Sequence, residues 1–339
     1  MSEHLRNAGL AHAYAGRRVL VIGGTGFIGH NLVVRLSALG ARVTAASRGK
    51  SAHADPFPAD VRFQPLDIAE IADLIDVVGS YDFIFSVAGR TGAAQSNVNV
   101  LADLRVNLLG QYNLLEACRQ VAPCVRIVVA SSRLVYGKPE FLPVTEVHPT
   151  NPTSSYGINT LAAEKYHLLY SAQHGLRSTV MRITVPYGPF FPLTDRPHGI
   201  VNAFIRTAAE GGTITIYGNG MQLRDVIYID DLVDGMLLTA LCEEACGKIY
   251  NIGSGQPCPL IDIARRVVDI AERGRIETVP WPQAARAVET GDFWSDTTRL
   301  RQTICWQPDT ELATGIARSV AYFRGRGGAL PAVPPLRRG

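Results

Sequence analysis

The segment GGTGFIG places Gly23, Gly26 and Gly29 in a G-x-x-G-x-x-G pattern, directly after the apolar run RRVLVIGG and at the start of GHNLVVRLSALG. Missing Cβ atoms permit a tight strand-to-helix turn and let backbone approach a pyrophosphate, which then lies on the helix N-terminus. Such turns also use glycine for purely structural reasons, but a strand before and an amphipathic helix after favour a dinucleotide ligand. Phe27 and Ile28, inside the pattern, are candidate contacts of the same ligand. The next apolar run ends in Ser47-Arg48-Gly49-Lys50. An acidic residue there would bind the adenosine ribose and repel a 2′-phosphate, whereas Ser47 and Arg48 offer donors and positive charge, so NADP is expected ahead of NAD. Asp67 and Ile68, closing a third run in PLDI, are candidates for the adenine side, although an Asp after a strand is also a common helix cap.

These residues need a scaffold, and the order of elements supplies one. From Arg17 the chain alternates the β-branched runs RRVLVIGG, ARVTAAS, VRFQPLDI, DFIFSVAG and VRIVVASS with helical patterns such as LADLRVNLLGQYNLLEACRQ. Strands separated by helices of this length imply right-handed crossovers and a parallel sheet, and nearly continuous apolar runs imply burial on both faces. The helix GINTLAAEKYHLLYSAQHG and the strand RSTVMRIT extend this part to about Thr184. The expected fold class is therefore α/β, a Rossmann-type doubly wound parallel sheet over residues 17–184. A smaller mixed α/β substrate lobe follows over 185–325, with some exchange of chain between the two. Residues 1–16 are expected to form a loose arm and 326–339, rich in Gly, Pro and Arg, a mobile tail.

With 339 residues, 47% apolar, the chain can bury one large core or two that share an interface. Lys and Arg total 33 against 30 Asp and Glu, so no basic field for nucleic acid or anionic lipid stands out. No apolar run approaches the roughly 20 residues that span a bilayer, and the first residues carry no apolar signal core, which disfavours membrane insertion and secretion. The six cysteines form no C-x-x-C pair and have no His at metal-ligand spacing. They are expected to be reduced thiols in a cytoplasmic protein without a metal.

Taken in order, GGTGFIG, LDI, Val87-Ala88-Gly89, Asn107 in LRVNLLG, VVASSRLVYG, Tyr156 and YGNGMQLRDVIYIDD resemble the extended short-chain dehydrogenases/reductases, in particular their nucleotide-sugar epimerase/dehydratase branch. The resemblance runs from about Arg17 to Trp306. It implies that Val87, Ala88, Gly89 and Asn107 border the cofactor. It also implies that Tyr156 takes a proton from a sugar hydroxyl while hydride leaves the same carbon, with Ser132 sharing the hydrogen bond. Arg224, in LRD, matches the family's diphosphate-binding Arg. Arg133 stands beside Ser132 as a further candidate substrate contact. Many members dimerise through two helices of the dinucleotide domain, and the apolar faces of LLGQYNLLEAC and LAAEKYHLLY suit a homodimer.

Several positions depart from the family pattern. Where members carry Lys four residues after the Tyr, this chain has Thr160, and Lys165 falls on the opposite side of the helix. A phenol with pKa near 10 is a poor base at neutral pH without nearby positive charge. Val185 replaces a substrate-site Asn, and Glu289 stands where an Arg is common. Arg133-Leu134 replaces the acidic residues used for dehydration or decarboxylation, which leaves simple oxidation and reduction. Two expectations follow: an NAD(P)-dependent epimerase or ketoreductase acting on a nucleotide-linked sugar with an atypical site, or a cofactor-binding but silent relative serving as a partner subunit.

Overall fold

The computed structural model describes residues 3–49, 56–191 and 199–325. Lys50 of the Ser47–Lys50 donor set and the 326–339 tail lie outside the described residues.

Seven strands form one parallel sheet: β1 (Arg18–Ile22), β2 (Arg42–Ser47), β3 (Arg62–Pro65), β4 (Phe83–Ser86), β5 (Arg126–Ser132), β6 (Arg177–Ile183) and, much later in the chain, β10 (Ile249–Ile252), in the order β10-β6-β5-β4-β1-β2-β3. Val19, Leu20, Val21, Ile84, Phe85 and Val180 have no or almost no exposed surface, as strands covered by helices on both faces require. The strand order reverses between β1 and β4, and at such a switch point the loops after neighbouring strands diverge and open a crevice beyond their carboxyl ends. The Rossmann-type doubly wound expectation holds. The segment KIYNI, which falls within the second lobe by sequence, returns to the large sheet as its edge strand beside β6.

The remaining strands build two small sheets. β7 (Val185–Tyr187) runs parallel to β9 (Leu223–Tyr228), which pairs antiparallel with β11 (Pro257–Pro259); β8 (Thr213–Tyr217) pairs in parallel with β12 (Arg275–Val279). The helices Ile200–Ala209, Leu260–Ala271 and Leu312–Gly325 pack on one another and on these strands. Their apolar stripes join the core on one face of the large sheet.

The expected N-terminal arm is instead a helix, Glu3–Tyr14. Leu10 and Tyr14 are four residues apart and so share a face. Both are buried, and Tyr14 Oη donates to the Leu237 carbonyl at 2.9 Å. Arg6, also buried, forms an ion pair with Asp309. Tertiary contact, more than helix propensity, orders this segment.

Candidate functional site

A cavity of about 670 Å³ opens at the carboxyl ends of β1, β4 and β5. Its walls bring together Gly26, Phe27, Ile28 and Gly29 from the glycine turn with Val87, Ala88 and Gly89 from the loop after β4. Asn107, Ser132, Arg133, Tyr156 and Thr160 line it as well. Gly23, Ser47, Arg48, Asp67, Ile68 and Arg224 do not line it.

The glycine turn is shaped by close backbone packing. Gly23 has φ +88°, and a Cβ there would stand 2.5 Å from the Ala88 nitrogen; a Cβ on Gly29 would run into the Gly23 carbonyl. Strand, turn and helix therefore meet only because those side chains are missing. Gly26 caps the helix Phe27–Ala38 without any side-chain hydrogen bond. The first amides of that helix have no intrahelical acceptor, and with Gly26, Phe27, Ile28 and Gly29 on the cavity wall they suit a phosphate. The turn and the cavity thus fit a dinucleotide.

Asn107 lies on a π-helical turn, Arg105–Leu109. Its side chain accepts from the Arg90 amide and donates to the Arg90 carbonyl, both at 2.9 Å, which fixes the loop after β4. At the far edge, Ser47 Oγ donates to the Gly49 carbonyl at 2.6 Å and Arg48 is exposed. Asp67 Oδ1 accepts from the Ala69 amide at 3.1 Å, and its carboxylate lies 3.5 Å from Arg105. The helix that follows is capped at Glu70, so the charge of Asp67 orders a turn and is no N-cap. Ile68 is buried against Gly110.

Tyr156 sits in the first turn of the helix Ser155–His174, capped by Ser154 Oγ, which accepts from the Gly157 amide at 3.2 Å. Ser96 Oγ accepts from the Tyr156 amide at 3.0 Å, tying this turn to the helix Ala93–Val98. A Cβ on Gly157 would lie 2.8 Å from the Leu134 carbonyl, so glycine lets the helix start directly against the segment after β5. That approach brings the Tyr156 phenol near enough to the side chains of Ser132 and Thr160 for their hydroxyls to act on its titration. Burial pushes the phenol above its ordinary value, Asp103 pushes it the same way, and the two hydroxyls only partly oppose them. Among the described residues, no cation is one of the groups acting on it. Lys165 is exposed, as its place on the helix requires.

Behind this group lies an arrangement the sequence did not reveal. Glu164, one turn beyond Thr160, forms an ion pair with Arg182 of β6 at 2.6 Å, both side chains being almost completely buried, and accepts a short hydrogen bond from Ser131. The Arg182 guanidinium lies 4.6 Å from the Tyr136 ring centre. Enclosed charge survives when both members are paired and hydrogen-bonded.

Arg224 is buried in β9 and committed to the protein. It pairs with Glu289 at 2.7 Å and donates to the carbonyls of Leu223 and Gly291 at 2.9 and 2.8 Å. Its carboxylate partner is Glu289, not the adjacent Asp225, whose oxygens accept from Ser254, Gly255 and Ser295. Arg133, directly after β5, donates to Thr290 Oγ1 at 3.0 Å and lies 5.2 Å from the Phe293 ring centre.

Comparison with known proteins agrees with this geometry. Residues 19–253 match the NAD dependent epimerase/dehydratase family. The chain is 30% identical over 322 residues to UDP-glucose 4-epimerase of Mycolicibacterium smegmatis, covering 91% of this chain and 99% of that protein. It is 27% identical over 321 residues to UDP-glucuronic acid decarboxylase 1 of Xenopus tropicalis, covering 91% and 72%. Among solved structures, the Thermus thermophilus UDP-glucose 4-epimerase in complex with NAD superposes with a TM-score of 0.80 at 28% identity, covering 91% of this chain and 100% of that one. The glycine turn, the reversal of strand order and the hydroxyl cluster over the sheet have the same origin: the chain belongs to the NAD dependent epimerase/dehydratase family, within the extended short-chain dehydrogenases/reductases.

Proposed function

We propose that the protein is an NAD(P)-dependent enzyme that moves hydride at a sugar carbon of a nucleotide-linked sugar or related natural-product intermediate, as an epimerase or ketoreductase. The observation that carries this reading is the convergence of the Ser132, Tyr156 and Thr160 hydroxyls in a cavity that also holds the glycine turn. A nicotinamide cofactor bound there would supply the hydride acceptor and, when oxidised, a positive charge. The rest falls to the chain's residues. Tyr156 takes the proton of the sugar hydroxyl, Ser132 holds that hydroxyl, and Thr160 donates to the phenol in place of a cation. Leu134 on the cavity wall has no proton to exchange, which argues against dehydration or decarboxylation at this point. The relatives named as UDP-glucose 4-epimerases support the substrate class.

A second reading, a cofactor-binding but silent partner subunit, is favoured by the raised phenol and the lack of a cation acting on it. Proton NMR separates the two. The protein is incubated in deuterium oxide with NAD, NADP and a panel of UDP-, TDP-, GDP- and CDP-sugars. A new anomeric signal is the expected result, whereas silence across the panel with cofactor binding intact sinks the enzyme reading.

The exposed Arg48 at the end of β2 supports NADP over NAD. The measured affinity should be higher for NADP, and Arg48→Ala should lower NADP affinity by about tenfold, the scale of one charge-assisted contact, with little change for NAD. Equal affinities before and after the substitution remove the preference. A cytoplasmic location and a homodimer through the helices Gly110–Val121 and Ser155–His174 are part of the same proposal. The exposure of Tyr166 and Leu169 supports the dimer.

A further inference from the structure

Four charged side chains line the cavity: Arg90, Asp103, Arg133 and Glu164. Glu164 is committed to Arg182, and Asp103 accepts from Asn159 Nδ2 at 2.8 Å. Arg133 stands apart from both. Thr290 and Phe293 hold its guanidinium in place, yet neither carries charge. Among the described residues no carboxylate forms an ion pair with it, and Thr290 is the protein side chain to which its guanidinium donates. A guanidinium carries five donors in a planar fork, and on the half-buried Arg133 the donors beyond the one that Thr290 takes are left for a ligand of the cavity it lines. Burial and the nearby Arg224 push it down to about 10 even though Glu289 and Asp225 oppose them. It therefore stays charged at neutral pH and under-compensated.

The residue resembling a diphosphate anchor shows the opposite condition. Arg224 lies outside the cavity wall, and its outward charge is met by Glu289, whose Oε1 also accepts from the Gly291 amide at 2.9 Å and is thereby fixed. An anion approaching Arg224 would have to displace a carboxylate already in place. We propose that Arg133, and not Arg224, is the specificity-determining cation of this site, and that it receives an oxyanion of the substrate. Because Arg133 immediately follows Ser132 and lines the same cavity as Ser132 and Tyr156, that oxyanion lies on the side of the reacting carbon. A carboxylate on the sugar ring and a phosphate of the nucleotide share this chemistry.

This inference rests on the nucleotide-sugar reading, and calorimetric titration tests the two separately. UDP, UDP-glucose and UDP-glucuronic acid are titrated into cofactor-loaded wild type, Arg133→Met and Arg133→Lys. Loss of one charge-assisted contact is expected to weaken binding by about tenfold or more in Arg133→Met, with partial recovery in Arg133→Lys, which keeps the charge but not the fork. A loss confined to UDP-glucuronic acid assigns the oxyanion to a carboxylate, and an equal loss for all three ligands assigns it to phosphate. Unchanged affinities in Arg133→Met overturn the assignment while leaving the nucleotide-sugar reading standing. No binding by the cofactor-loaded wild type of these three ligands or of the TDP-, GDP- and CDP-sugars of the panel overturns both.

Discussion

Tyr156→Phe is expected to lower kcat/KM by about 10²- to 10⁴-fold, the usual contribution of a positioned acid or base, while cofactor affinity stays close to that of the wild type. The substitution removes one oxygen. It leaves the backbone bond from Tyr156 to Ser96 and the Ser154 cap, so the helix start should persist. The pH dependence gives a second readout. Burial and Asp103 raise the phenol above its ordinary value, so the basic form is scarce at neutral pH and grows about tenfold for each unit of pH gained below that pKa. Wild-type activity should therefore climb with pH across the whole range in which the protein is folded, with no plateau near neutrality. The Phe variant should lose this limb. Wild-type turnover in Tyr156→Phe, or a wild-type profile that levels off below pH 7, would show that another group accepts the proton.

The scaffold is legible in the sequence because its signals are local. Most strands of the large sheet are near-continuous apolar runs, the edge strand β3 with its sequence RFQP excepted, and even KIYNI is visible as a strand. Its place beside β6 is not, since pairing across about seventy residues leaves no local mark. The same limit governs the site. The glycine turn announces itself through spacing, and Tyr156 and Ser132 through motif order, but charged partners far apart in the chain do not. The Glu164–Arg182 pair joins a helix to the neighbouring strand β6, and Arg224–Glu289 joins β9 to a loop 65 positions later. Arg224 pairs with this distant carboxylate and not with its neighbour Asp225, because adjacent strand residues face opposite sides of the sheet. The N-terminal helix escapes sequence reading for a different reason. Leu10 and Tyr14 carry the correct spacing, but a short Ala-rich stretch offers too little pattern to stand out, and its order comes from packing against residues near Leu237.

Thr160→Lys is expected to raise turnover by about ten- to a hundredfold near neutral pH and to move the rising limb of the pH profile to lower pH. Position 160 is four residues after Tyr156, so its side chain lies one turn along the same face, near enough to act on the phenol. The residue is 7% exposed and lines the cavity, which gives a longer chain room to extend without displacing the core. A protonated Lys there would favour the phenolate, and each unit by which the phenol falls corresponds to about 1.4 kcal/mol between its two forms. Burial works against the new charge as well, because an ammonium group in an enclosed site tends to lose its proton. Asp103, near enough to raise the phenol in the present chain, supplies the negative charge that keeps the Lys protonated. The gain should therefore depend on that carboxylate and be smaller in Thr160→Lys combined with Asp103→Asn. A Thr160→Lys protein that is folded, binds cofactor and shows no gain at any pH would mean that the chain does not use Tyr156 as its base. That result would favour the silent reading over the enzyme, because the missing cation would then not be what limits the site.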